Sequence, residues 1–148
     1  MKHFEFTDKT KTLSDGTVLH QIKANKNLPM HNIKKGDVGG WIEKPENLSE
    51  NAWISGDVIV SGNAQVFGNA WISGNAQVSG NAQVYGNAWI SGYAQVSGNA
   101  KISGNAWVYG NAMVSGNVWV SENAKVSGYV SGNAKISENK IINTEEYK

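Results

Sequence analysis

The sequence predicts an all-β protein: a three-sided parallel β-solenoid with eighteen residues per coil and a small N-terminal β-rich cap. Three observations carry this. From Ile54 to Val126 every sixth residue is Val or Ile. Two positions before most of them stands Ala, as at Ala52, Ala64, Ala70 and Ala76. Tryptophan recurs at Trp53, Trp71, Trp89 and Trp107, eighteen residues apart.

Each element follows from these. Residues two apart on a strand point the same way, so Ala and Val/Ile face inward and the residue between them faces out. Gly and Asn follow the strand, and both suit a tight corner that needs positive φ. A unit of one short strand and one corner cannot bury its own face, so it must stack on copies of itself. The glycine in nearly every unit and the β-branched inward residue argue against a helix. The tryptophan period means three units per coil. Residues eighteen apart then lie one above another at the ~4.8 Å inter-strand spacing.

The inward register extends back through Leu48 and Ile42, so "GGWIEKPENLSEN" reads as a degenerate first coil with Trp41 and Asn47 outward. The unit "YVSG" at 129–132 is two residues short; Val130 still points inward and one corner is cut, before Ile136 and Ile142 resume the pattern. "TLSDGTVLHQI" reads as a hairpin turning at Asp15-Gly16. "LPMHNIKKGDVGG" reads as a loop with apolar anchors. The expected divisions are a capping segment over 1–39, the solenoid over 40–142 and a tail over 143–148. The cap would cover the backbone edge of the first coil.

The repeat resembles the hexapeptide-repeat, left-handed parallel β-helix family, through its "NAWISG"- and "NAQVSG"-type units from about Gly40 to Ile142. The resemblance implies left-handed coiling, against the usual right-handed crossover rule. The stretch "KKGDVGGWIE" followed by "NLSENAW" further resembles a set of bacterial and prophage hexapeptide-repeat proteins with a short N-terminal head. That likeness implies a bacterial or phage, cytoplasmic setting and brings no catalytic residues with it. Many hexapeptide relatives are acyltransferases that use a histidine base and a loop projecting from a coil. Here His3, His20 and His31 all precede the repeats, and nothing longer than a corner interrupts Asn51 to Gly128.

Sorting the outward residues by wall shows why tryptophan recurs. Wall one stacks Trp53, Trp71, Trp89 and Trp107, then Lys125; Phe67 and Tyr85 occupy the corner before it and Tyr109 the corner after it. Wall two stacks Trp41, Ile59, Gln77, Gln95 and Met113. Wall three stacks Asn47, Gln65, Gln83, Lys101 and Trp119. An aromatic ladder would stabilise the stack by ~0.2–1 kcal/mol per neighbouring pair. That alone does not explain why a single wall is aromatic. The seven aromatic residues of wall one and its corners are therefore the candidate binding face. The expected contact is a protein partner or a second copy, as a dimer or trimer, because Trp and Tyr are enriched at interface cores.

Composition narrows the classes. The 148 residues carry thirteen lysines, no arginine, no cysteine and a net charge of +1. Without arginine or a basic field, nucleic acid is not the expected partner. No apolar run approaches the ~18 residues of a membrane span, and the N-terminus does not read as a signal peptide. Between Pro45 and Ser121 the acids are Glu46, Glu50 and Asp57, which do not flank a cleft. The histidine spacings of seventeen and eleven match no metal-ligand pattern. The reading is a non-enzymatic scaffold without cofactor or metal. The alternatives are a carbohydrate-binding module, whose Trp faces would stack on sugars, and a degenerate hexapeptide acyltransferase.

Overall fold

The computed structural model describes residues 2–143; of the tail expected over 143–148, residues 144–148 lie outside that range. Among the described residues there is no α-helix, apart from short 3-10 turns at Pro29–His31 and Pro45–Asn47. None is long and apolar enough to cross a membrane. The body is a three-sided β-solenoid. Its two-residue strands fall into three parallel sheets, one per wall. Wall one has six strands, from Trp53–Ile54 to Ile141–Ile142. Wall three has five, and wall two has eight because the head adds to it.

Pairing follows the eighteen-residue register: Trp71 with Trp89 with Trp107, Gln77 with Gln95 with Met113, and Gln83 with Lys101 with Trp119. Up to Trp107 the outward residue of each repeat strand donates its N–H to the carbonyl seventeen residues on, as Trp71 to Ala88 at 3.0 Å and Gln77 to Ala94 at 2.9 Å; from Met113 the offset is fifteen. The corners are bonded in the same way, Asn75 N–H to Gly92 O at 2.8 Å. The interior is a column of Ala and Val/Ile from Ile42 to Ile142, almost all of it inaccessible to water.

The corners explain the glycines. Gly92 sits at φ +70°, and a Cβ there would lie 2.8 Å from the carbonyl oxygen of Gly110 in the next coil. Coils spaced by backbone hydrogen bonds leave no room for a side chain at that point. Three glutamates nevertheless occupy this slot near the ends: Glu50, Glu122 and Glu138, with φ of 58°, 57° and 60°. Two of them cap the next corner, the Glu50 carboxylate accepting from Gly68 N–H at 2.8 Å and that of Glu122 from Glu138 N–H at 2.7 Å.

The degenerate first coil is present: Ile42 pairs beside Val60, and Leu48 bridges Val66. Asn47 corrects the expectation. Instead of facing out it is wholly buried. Its side-chain oxygen accepts from the backbone N–H of Glu43 and Lys44, and its amide donates to the carbonyls of Gly62 and Ala64. One asparagine thus satisfies four backbone groups where the chain makes its 3-10 turn. At the other end Val130 points inward and pairs with Val114, sixteen residues before it, so the short unit removes a corner without breaking the stack.

The head closes the N-terminal end on all three walls. Strand β1 (Phe4–Thr12) and strand β2 (Val18–Ala24) form the hairpin turning at Asp15-Gly16. Strand β2 pairs antiparallel with β3 (Val38–Ile42), which runs parallel to Ile59–Val60, so the hairpin covers the edge of wall two. On wall three the Lys2 ammonium donates to Leu48 O at 3.0 Å. On wall one His3 Nε2–H donates to Ala52 O at 2.7 Å and His31 Nε2–H to Asn51 O at 2.9 Å.

Both latch histidines are buried, and burial holds each below the ordinary value of 6.5, against the opposing effect of the carbonyl hydrogen bond. For His3 the charges of Lys26, Lys2 and His31 push the same way as burial. A group whose folded pKa is depressed in this way takes up protons more readily once released. Its stabilising contribution is complete above about pH 6.5 and fades as pH falls through the folded value.

Two outcomes follow. Val78→Asp places an unpaired carboxylate in the core and should cost more than ~4 kcal/mol in urea denaturation, while Gln77→Lys next to it should stay within ~0.5 kcal/mol; equal losses would overturn the register. Acidification below pH 6.5 should loosen the head, read as increased fluorescence quenching of the buried Trp53. The double variant His3→Gln/His31→Gln should flatten that pH dependence, and an unchanged profile would remove the histidines from the latch.

Candidate functional site

Wall one is built by the two-residue strands that present Trp71, Trp89 and Trp107 in direct register. Their rings stack with centroids 5.4 Å and 5.0 Å apart and planes within 2° and 4° of parallel. Such pairs contribute ~0.5–1.5 kcal/mol beyond burial. The Lys125 ammonium stands 5.7 Å from the Trp107 ring, and Tyr109 leans on the same indole at 4.8 Å. At the corner before the wall Phe67 and Tyr85 stack at 5.0 Å.

Trp53 does not belong to the open wall, contrary to the sequence expectation. It is wholly buried. The head lies over it, with the His3 ring edge-on at 6.3 Å and Gly39 so close that a Cβ would come within 2.7 Å of the indole. Trp71 is half covered by the His31 ring at 5.9 Å. The indole N–H groups of Trp53 and Trp71 find no acceptor among the described residues. An unmet buried donor costs ~1–3 kcal/mol, so packing holds these rings. The Trp107 N–H donates to Ser91 Oγ at 3.4 Å.

The open part of the wall is therefore shorter than the repeat implies. It centres on Trp89, 38% exposed, with Trp107 and Tyr109 half-buried beside it. Tyr93, 64% exposed at the corner after Trp89, extends it. Tyr93 breaks the Gly-Asn corner in "SGYAQV" and lies outside the seven aromatic residues that the repeat register picks out. Both faces of Trp89 are flanked by its neighbours in the column. This is poor geometry for stacking a sugar ring and good geometry for a rigid contact made by ring edges and tyrosine hydroxyls.

His3 and His31 use Nε2 on backbone carbonyls, and His20 stacks on Phe6 at 4.5 Å. Among the described residues no three His, Asp or Glu side chains cluster as metal ligands.

The YdcK beta solenoid repeat model matches the chain at residues 64–80, 76–92, 82–98, 94–110 and 106–122, together less than half of its length. A search of curated proteins finds no match. The matched repeats fall within the three stacked sheets, and on both grounds the chain is a β-solenoid repeat protein.

Proposed function

We propose that this solenoid is a non-catalytic scaffold whose wall one docks a protein partner, in the first instance a second copy of the chain. The observation that carries the reading is the stacked column Trp71–Trp89–Trp107, continued at the corner by exposed Tyr93. Stacking fixes the indoles before any partner arrives, so little side-chain entropy remains to be lost on binding. A flat, regular wall is self-complementary across a two-fold axis, which closes a dimer. The covered ring faces weigh against the carbohydrate alternative on this wall. The structural employment of His3 and His31 weighs against the acyltransferase alternative, which would need one of them as a base.

Light scattering tests it. The wild type should run as a dimer, and Trp89→Ser/Tyr93→Ser as a monomer with unchanged β-type circular dichroism. Truncation at the centre of a desolvated patch costs ~2 kcal/mol or more per residue, so the dissociation constant should rise by at least about a hundredfold. A monomeric wild type at high concentration, or a variant that assembles equally well, would overturn self-docking.

A further inference from the structure

We propose that wall three carries a binding groove for an acidic saccharide chain, with one sugar ring seated on Trp119 and carboxylates on either side of it met by Lys101 and Lys135. In wall three Trp119 pairs in register with Lys101 on one side and Lys135 on the other. Between this column and the asparagine corner runs a groove of about 330 Å³, whose lining includes Asn99, Asn117 and Val118. Trp119 is 44% exposed, and its N–H, donating to Ser103 Oγ at 3.4 Å, holds the ring in place. Unlike the wall-one indoles, it has no aromatic neighbour stacked on it among the described residues.

The polar groups are prearranged. Asn99 donates to Asn117 and Asn117 to Asn133, each at 3.1 Å, which orients a row of amides. Each amide keeps further donor or acceptor capacity for a hydroxyl. Among the described residues no carboxylate lines the groove, and the one ion pair is Lys23 with Glu5, in the head. The fold does not demand these residues, because Gln65 and Gln83 fill the same column in earlier coils.

Spacing selects the ligand class. Lys101 and Lys135 lie two strand spacings apart, ~10 Å along the axis. An extended acidic chain can place a charge on each side of the stacked ring. A mononucleotide carries its charge at one end and would leave one lysine idle. It would also meet none of the arginine forks or clustered backbone N–H groups that usually cradle phosphate. This site is independent of wall one, and its failure would leave the docking proposal intact.

Titration of tryptophan fluorescence and calorimetry with trigalacturonate test the groove, with its methyl ester and AMP as comparators. Trigalacturonate should bind saturably, more weakly at high salt, and the methyl ester should bind far less. Trp119→Ala should weaken binding about tenfold or more, and Lys101→Gln/Lys135→Gln should weaken it and remove the salt dependence. Trp89→Ser should bind as the wild type does. Absence of saturable binding, equal binding of the ester, an affinity indifferent to Trp119→Ala, or preferential binding of AMP would each overturn the proposal.

Discussion

The hydrogen-bond ladder between successive coils is the constraint on which everything else depends. It sets the distance between equivalent residues, and that one distance governs three unlike regions. Inside, it brings each Ala and Val/Ile onto its copy in the next coil, leaving a dry column. At the corners it brings the next coil's backbone within 2.8 Å of where a Cβ would sit at Gly92, so glycine fills most of these slots and Glu50, Glu122 and Glu138 are the exceptions. Outside, it spaces identical side chains at a separation suited to aromatic stacking, hence the near-parallel indoles of wall one.

A ladder of this kind leaves unpaired carbonyls at its first coil, and the head meets them. The first coil is closed by strand pairing on wall two and by side chains on the other two walls, with Lys2, His3 and His31 each donating to a carbonyl that would otherwise face the missing coil. Exposed sheet edges recruit other chains, so the head both completes the fold and guards it. It also removes Trp53 from the surface and part of Trp71 with it. The fold and the accessible aromatic area are thereby coupled through one small hairpin and two imidazoles.

The solenoid was readable because its rule is local and repeated: inward and outward positions alternate, and register passes from coil to coil unchanged. The short unit around Val130 could be placed on the same rule. All the misses but one come from contacts that the repeat does not encode. Trp53 looks like Trp89 in its own unit, and its burial depends on a head whose docking has no periodic signature. Asn47 stands at an outward position, yet the local 3-10 turn offers it four backbone partners. The histidine latch is invisible in a linear text because His3 and His31 converge on adjacent carbonyls from different parts of the head. Tyr93 is the exception, legible in the sequence as a broken consensus. The groove beside Trp119 needed the asparagine corner to be placed against the wall.

The cut corner before Val130 separates two kinds of phase. Up to that point position in the sequence and position in space advance together. After it, partners are sixteen residues apart, as Trp119 with Lys135 and Lys125 with Ile141. The text slips by two while the spatial lattice does not. The matched repeats end at residue 122, whereas the strands continue to Ile142. The unit conserved by this architecture is thus the closed circuit around the axis, not a fixed count of residues. Length changes absorbed at a corner are silent to the walls, and the gain or loss of a whole circuit lengthens or shortens every wall by one ~4.8 Å step.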